Sequence, residues 1–188
     1  YTMPPFTDNC TSLGGMVTVQ SGLSSGSAFP KGITIVVLKA TDAANNMKTC
    51  SFRVTVNDTE APTISCPSSQ TKTTDPNLCT AVATFANATF TDNCPGGSVL
   101  KTSGLASGSA FPKGVNSVVF KATDAAGLTK TCSFSITVTD AQLPTVSCPA
   151  NIAVTAPSGQ CSTTVVYANP TATDNCSVSS VFLLSGLS

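Results

Sequence analysis

The stretch NSVVFKATDAAGLTKTCSFSITV, residues 116–138, decides the fold of this chain, because two strand patterns flank a turn in it. Its last seven residues alternate apolar and polar side chains, which predicts a half-buried antiparallel strand. The inward positions of that strand are Cys132, Phe134, Ile136 and Val138. In NSVVFKAT the inward positions are Val118, Phe120 and Ala122. The intervening DAAG is a turn sequence, so the stretch predicts a β-hairpin.

The hairpin belongs to a sequence repeat. The segment that starts SGLSSGSAFPKG at Ser21 recurs as SGLASGSAFPKG at Ser103, an offset of 82 residues with about two thirds of the positions identical. The tetrapeptide TDNC recurs at residues 7–10, 91–94 and 173–176. Such a period indicates a repeat protein, and we expect the chain to be a window from a longer array. The predicted domains are the C-terminal part of a first repeat at 1–60, a complete second repeat at 61–140 and the N-terminal part of a third repeat at 141–188.

Short apolar runs fill the rest of each repeat. In the second repeat these are TISC, CTAVATF and SVLKTSGL, separated by Pro, Gly, Asn and Asp, and no apolar pattern of period 3.6 reaches helical length. About six or seven short strands in a repeat of this size predict an all-β chain of tandem immunoglobulin-like β-sandwiches. In the first repeat, the strand equivalent to CSFSITV is expected to bury Cys50, Phe52, Val54 and Val56.

The composition excludes several classes of protein. Only 10% of the residues are charged, the net charge is zero, and the chain has neither tryptophan nor histidine. It therefore lacks the basic surface that nucleic acids or anionic membranes require. No run of 18 or more apolar residues predicts a membrane span. With 41% hydrophobic residues, the chain is predicted to be folded, and located outside the cell or on its surface.

The nine cysteines indicate an oxidising compartment. If every repeat forms disulfides only within itself, Cys10 pairs with Cys50, because these third and fourth cysteines are the ones that the first partial repeat contains. In a complete repeat the first cysteine then pairs with the second. Zinc is the alternative, but the chain has no histidine and no C-x-x-C spacing. The partner of Cys176 is expected just beyond Ser188. The predicted bridges are Cys10–Cys50, Cys66–Cys79, Cys94–Cys132 and Cys148–Cys161.

Six motifs occur in a fixed order, namely PTISCP, a closely following second cysteine, TDNC, SGSAFPKG, FKATDAAG and TCSFSITVTD. In this order they resemble the hyalin repeat, also called the HYR module, over the full repeat and both partial ones. The resemblance implies an immunoglobulin-like fold, extracellular arrays and adhesive roles, in animal matrix proteins or in very large bacterial surface proteins. The identity between neighbouring repeats and the four-cysteine pattern are most similar to the arrays of large bacterial cell-surface adhesins.

One short motif has the form of a catalytic site. GLSSG, residues 22–26, satisfies the G-x-S-x-G pattern with Ser24 as the nucleophile. The next repeat has Ala106 in the place of that serine, and the chain has no histidine to act as the base. The sequence therefore predicts that the chain is not an enzyme.

Recurring aspartates offer two interpretations. Calcium binds several converging oxygen atoms, and a site near the connection between repeats would stiffen an array. Aspartate and asparagine also form turns by capping their own backbone, and turn positions explain the same recurrence. Asp42 and Asp124 recur in the hairpin turn, and Glu60 at one connection is replaced by Gln142 at the next. The calcium candidates are Asp8, Asp58, Asp92, Asp140 and Asp174.

Four asparagines stand in N-x-S/T sequons and are candidate glycosylation sites, although serine and threonine are frequent enough here to produce such sequons by chance. The candidates are Asn9, Asn57, Asn87 and Asn175.

Two functions from different classes fit these features. The first is a structural and adhesive segment of a long extracellular fibre, in which each repeat is expected to contact its neighbours and other copies of the chain in a filament. The second is an immunoglobulin-like module that binds a carbohydrate or a protein. Binding sites usually need exposed aromatic or charged anchors, and this chain has two tyrosines and few charges. The sequence therefore favours the fibre.

The connections at residues 58–62 and 140–144 are predicted to be short and stiff because each ends in proline.

Overall fold

The computed structural model describes residues 1–7 and 16–185. All regular secondary structure in this part of the chain is β-strand, which confirms the predicted all-β class. It contains no helix that is long and apolar enough to cross a membrane. The strands are β1 Met16–Ser21, β2 Gly32–Thr41, β3 Met47–Val56, β4 Thr63–Ser65, β5 Gln70–Thr73, β6 Thr80–Val82, β7 Thr89–Thr91, β8 Ser98–Ser103, β9 Ala110–Pro112, β10 Gly114–Thr123, β11 Thr129–Thr139, β12 Thr145–Ser147 and β13 Thr171–Thr173.

The chain folds as two compact bodies that do not follow the sequence in order. The first body comprises Tyr1–Thr63, Thr91–Ser98 and Thr123–Lys130. The second comprises Ile64–Phe90, Val99–Ala122 and Thr131–Ser188. The TDNC loop of the second repeat, residues 91–94, thus belongs to the same body as the end of the first repeat.

The first body contains the three-stranded sheet β1-β2-β3. β2 and β3 form an antiparallel hairpin that is paired from Gly32 opposite Val56 to Thr41 opposite Met47. The alternation expected in β3 is visible at its end, where Phe52, Val54 and Val56 are half-buried. Cys50 is exposed, so the prediction that it is buried was wrong. Its equivalent in the second repeat, Cys132, is bonded to Cys66 and packs against the core.

The second body contains most of the four-stranded sheet β5-β11-β10-β8. β10 and β11 are the strands predicted from residues 116–138, and their expected inward side chains are buried except for Cys132, which is half-buried. β5 pairs with β11 in parallel, with Gln70 opposite Ile136. Two further pairs, β4 with β7 and β6 with β9, complete the strands of the second repeat.

The core of the second body combines the hairpin with the segment that contains β6. Ala81, Ala83 and Ala88 of that segment pack with the buried apolar side chains of β9, β10 and β11. The ring of Phe85 lies 5.0 Å from that of Phe134, in an edge-on arrangement that favours aromatic packing. The sequence between the second and third cysteines is thus part of the core and not a surface loop.

A disulfide joins Cys66 to Cys132 beside this core, across 66 residues and with Cα atoms 5.8 Å apart. The predicted bridges Cys66–Cys79 and Cys94–Cys132 are therefore wrong. The physical reason is that Cys132 shares the inward side of β11 with Phe134, so it meets Cys66, which packs against the same core. The bridge closes the complete repeat on its own first and fourth cysteines.

Within residues 141–185, the third repeat contributes the short pair β12 and β13, which is antiparallel with Thr145 opposite Thr173. Many of its apolar side chains are exposed, and Val166 and Leu184 are 89% and 88% accessible. The strands expected from the equivalents of CTAVATF do not form in residues 161–167. In the second repeat the equivalent segment packs against the hairpin strands β10 and β11.

Candidate functional site

The TDNC loop is built by an aspartate that caps the loop's own backbone. In the second repeat, Asp92 accepts a hydrogen bond from the backbone N–H of Cys94 at 3.0 Å. In the third repeat, Asp174 accepts one from the N–H of Cys176, also at 3.0 Å. This geometry is the turn interpretation of the recurring aspartates. It presents the cysteine at the same place in both loops.

A second aspartate follows the last strand of each repeat. Asp58 accepts a hydrogen bond from the N–H of Glu60, and Asp140 accepts one from the N–H of Gln142, both at 3.2 Å. Because the donors are backbone N–H groups, these hydrogen bonds do not depend on whether the side chain is that of Glu60 or of Gln142. A lysine also contacts each aspartate, with Nζ–Oδ2 distances of 3.2 Å for Lys31 to Asp58 and 3.3 Å for Lys113 to Asp140.

These groups form one junction cluster in each body, between the end of one repeat and the TDNC loop of the next. In each cluster one carboxylate oxygen from each aspartate and the cysteine sulfur all lie within 4.8 Å of one another. The first junction cluster is Lys31, Asp58, Asp92 and Cys94, and the second is Lys113, Asp140, Asp174 and Cys176.

Electrostatics in the junction clusters favour the charged forms of Asp58 and Asp140. Burial alone would raise the pKa of Asp58, but hydrogen bonds from Lys31, Cys94 and the N–H of Glu60 hold that pKa below its usual value. Burial alone would likewise raise the pKa of Asp140, and the N–H of Gln142 with Lys113 lowers it. Each aspartate therefore stays ionised and anchors its lysine.

The first junction cluster keeps its cysteine as a thiol. Burial raises the pKa of Cys94, and the hydrogen bond to Asp58 and the negative charge of that carboxylate raise it further. A thiolate is the reactive form of cysteine, so this position is a poor nucleophile at neutral pH.

The calcium candidates are brought together in pairs, Asp58 with Asp92 and Asp140 with Asp174, while Asp8 lies outside the described residues. Buried oxygen atoms of Asp92, Asp174 and Asn175 have no hydrogen-bond partner, which suits a cation. The lysine in each cluster already supplies positive charge to one carboxylate, and two carboxylates are few for an ion that takes about six to eight oxygen ligands. Calcium binding here stays a prediction.

The second junction cluster contains a disulfide between Cys79 and Cys176, across 97 residues and with Cα atoms 4.6 Å apart. Cys79 is the second cysteine of the second repeat and Cys176 is the third cysteine of the third repeat. The expectation that each repeat is closed on itself is therefore wrong, and so is the expected partner of Cys176. The bridge joins one repeat to the next.

Two polar contacts support this bridge. The side-chain amide of Asn175 donates to the carbonyl oxygen of Leu78 at 2.7 Å, next to both bonded cysteines. Gln142 accepts a hydrogen bond from the N–H of Asn77 at 3.0 Å and donates to the Asn77 side chain at 3.3 Å. Residues of the third repeat thus hold the loop before Cys79 from two sides.

The remaining cysteines in the described part of the chain are unbonded. Cys148 and Cys161 are both exposed and are not joined, so their predicted bridge is wrong. Cys50 and Cys94 are also thiols. Cys10 lies outside the described residues, and with it the predicted bridge to Cys50.

The other candidate residues lie apart from the junction clusters. Asp42 and Asp124 cap the hairpin turns, and each accepts a backbone N–H four residues later, at 2.7 and 2.8 Å. Ser24 is exposed in a turn. Among the sequons, Asn57 and Asn87 are exposed, Asn175 is held by Leu78, and Asn9 lies outside the described residues. Glycosylation stays a prediction.

Sequence reasoning missed both bridges, although one had a visible signal. Cys132 belongs to the inward set of β11, so it was to be expected in the core with another inward cysteine. No such signal exists for Cys79 and Cys176. A periodic sequence gives the same spacing whether a cysteine bonds within its repeat or to the next one.

Comparison with known proteins gives one family and several long relatives. The HYR domain family matches residues 1–56, 57–138 and 139–186. Hyalin of Strongylocentrotus purpuratus is 36% identical over 155 residues, which cover 79% of this chain and 13% of that protein. Hyalin of Lytechinus variegatus is 30% identical over 179 residues, 93% of this chain and 33% of that protein. The rat protein "Sushi, von Willebrand factor type A, EGF and pentraxin domain-containing protein 1" is 31% identical over 65% of this chain and 3% of its own length.

Proposed function

Because the chain belongs to the HYR domain family, we propose that it is a structural and adhesive segment of a long extracellular array, with no catalytic role. The observation that carries this proposal is the Cys79–Cys176 bridge, which joins one repeat covalently to the next. A module that worked alone as a binding domain would gain nothing from such a bond. A connector under tension would gain resistance to separation at each connection.

The surroundings of the bridge support a connector. At both connections only six or five residues separate the last strand of one repeat from the first strand of the next, Val56 to Thr63 and Thr139 to Thr145. A lysine and an aspartate of one repeat meet the TDNC loop of the next, and Pro62 in the first connection is fully buried. Short and contacted connections limit the torsional freedom between domains.

The finer parts of the proposal concern fold and setting. Each repeat of 82 residues is an immunoglobulin-like sandwich, and the domains are those at 1–60, 61–140 and 141–188. The array forms the long segment of a large cell-surface adhesin of the bacterial type, located outside the cell. The partners of each repeat are the neighbouring repeats and other copies of the chain in a filament. The repetition of near-identical units supports length over specific recognition.

Deletion of whole repeats tests this function. In cells that display the parent protein, removal of two or more internal repeats in register should shorten the surface filaments seen by electron microscopy and reduce attachment to a surface, with secretion unchanged. The control is a variant in which the deleted repeats are replaced by the same number of copies of residues 61–142. If attachment did not depend on length, and a single repeat bound one ligand with micromolar affinity, the chain would be a ligand-binding module instead.

A further inference from the structure

The two disulfides of the second body bond different kinds of partners. Cys66–Cys132 joins two positions of the same repeat. Cys79–Cys176 joins the second cysteine of one repeat to the third cysteine of the next. Cys94 is the equivalent of Cys176, and Cys161 is the equivalent of Cys79, each one repeat away. Both equivalents are thiols in the described chain.

The surroundings of Cys94 match those of Cys176. Each sulfur lies within 4.8 Å of two aspartate carboxylates of its junction cluster, and each backbone N–H is capped by the aspartate two residues earlier. The position that carries the bond in the third repeat is therefore formed in the second repeat as well. Cys161, the equivalent of the other bonded cysteine, is exposed and accessible to a partner.

We propose that Cys94 and Cys161 are the bonding positions toward further repeats, so that tension in an array passes through the bridges between repeats and not along the full backbone. Tension that enters at Cys94 follows the chain back to Cys79, crosses to Cys176 and follows the chain back to Cys161. The proposal rests on the proposed function, since a limit on extension matters only in an array under tension.

Formation of each further bridge is an oxidation. Two cysteine thiols lose two protons and two electrons to form one S–S bond. A disulfide oxidant takes up both and is reduced to two thiols. Such thiol–disulfide exchange is the ordinary route to bridges in oxidising compartments.

This path limits how far a repeat can extend. The backbone from Cys79 to Cys94 spans about 15 residues and reaches about 50 Å when fully extended, whereas a whole repeat would reach about 280 Å. A folded domain of this size is already roughly 35 to 45 Å long. Each repeat can therefore lengthen by roughly 5 to 15 Å before the covalent path is taut, whereas the full backbone would allow about 240 Å.

The path also protects the fold. The strands β8 to β11 lie outside the 79–94 segment, so tension does not act along them. The segment itself is held by the buried side chains of Ala81, Ala83 and Ala88. The Cys66–Cys132 bridge lies off the path, so we assign it to stability of the single repeat and not to extension.

Single-molecule extension of the whole chain tests the path. Handles are attached at Cys94 and Cys161, with Cys10, Cys50 and Cys148 replaced by serine. In the oxidised chain the shortest covalent path has about 30 residues, so the fully extended length between handles should be about 105 Å. In Cys79→Ser/Cys176→Ser the path runs through the other bridge, with about 57 residues, and should reach about 200 Å. In Cys66→Ser/Cys132→Ser the length should stay at about 105 Å.

The outcomes separate the proposal from its alternatives. A fully extended length is read after unfolding, so it counts bridges even in a variant of low stability. If the oxidised chain extended to about 200 Å, the length expected for Cys79→Ser/Cys176→Ser, the proposed load path would be wrong. This result would not contradict the proposed role of the array in attachment. Conversely, attachment that does not depend on array length would not contradict the covalent path.

A second experiment tests the two thiols. A copy of residues 107–188 is added after Ser188, which continues the repeat in register, and the disulfides are mapped by mass spectrometry without reduction. We expect Cys161 to bond to the third cysteine of the following repeat, and Cys148 to bond to the added copy of Cys132. A bond between Cys148 and Cys161 would contradict the proposal.

Discussion

Asn175 donates its side-chain amide to the carbonyl oxygen of Leu78, and this 2.7 Å contact aligns the two residues that precede Cys176 and Cys79. We therefore expect this contact to hold the two cysteines close together before oxidation. We expect Asn175→Ala to slow formation of the Cys79–Cys176 bridge severalfold during oxidative refolding, with Cys66–Cys132 formed at its usual rate. Quenched alkylation and peptide mapping follow both bridges in one sample. Equal slowing of the two bridges would show a general folding defect instead.

The Cys66–Cys132 bridge is expected to stabilise the second repeat. Replacement of both cysteines by alanine removes a loop closure of 66 residues, and such bridges contribute about 2 to 5 kcal/mol. Urea unfolding measures the loss. Cys148→Ala is the matched control, because Cys148 is exposed and unbonded. A loss no larger than that of the control would contradict the role assigned to the bridge.

Cys94 is expected to react slowly with thiol reagents, because its pKa is raised by burial and by Asp58. Asp58→Asn removes the negative charge that opposes the thiolate, so alkylation of Cys94 at pH 7.5 should become severalfold faster. Cys161 serves as the internal control, since it is exposed and lies outside the cluster. An unchanged rate at Cys94 would show that Asp58 does not control this thiol.

Acid should destabilise the chain through three aspartates. The pKa of Asp42 is lowered by hydrogen bonds from Asn46, and those of Asp58 and Asp140 are lowered within the junction clusters. A carboxyl with a lower pKa in the folded state stabilises the fold above its unfolded-state pKa, near 4, and that contribution is lost as the pH falls through the folded-state value. The urea concentration at the midpoint of unfolding should therefore decrease when the pH is lowered below about 4. Replacement of all three aspartates by asparagine should flatten this dependence, and an unchanged pH profile would contradict the assignment.

The SGL motif of the first and second repeats has a steric reason. Gly22 has a φ of +88°, and a Cβ there would lie 2.7 Å from the carbonyl oxygen of Ile35. Gly104 is its equivalent, with a φ of +87° and the carbonyl oxygen of Ser117 in the same place. Gly104→Ala should cost about 2 to 4 kcal/mol, from backbone strain and overpacking together. Gly108→Ala, with a φ of +85° and open space around it, should cost only about 1 kcal/mol. Equal losses of urea stability would exclude the clash.

The sequence predicts the elements whose cause is local. The alternation of Phe134, Ile136 and Val138 and the DAAG turn specify the hairpin, and the structure has both. The TDNC turn is also local, since Asp92 caps a neighbour two residues away. The cysteine pairing is not local, because an identical spacing in successive repeats permits either partner. The exposure of Cys50 could not be predicted either, since alternation gives the side of the strand on which a residue lies and not what packs against that side.

The connectivity of Cys79 and Cys176 constrains how a gene for such an array can change. Recombination between homologous repeats adds or removes multiples of one period, and every interior second cysteine then still faces a third cysteine in the next repeat. A deletion of half a repeat would instead leave thiols without partners inside the array. The number of repeats can therefore change without leaving unpaired thiols, provided that each change adds or removes a whole period.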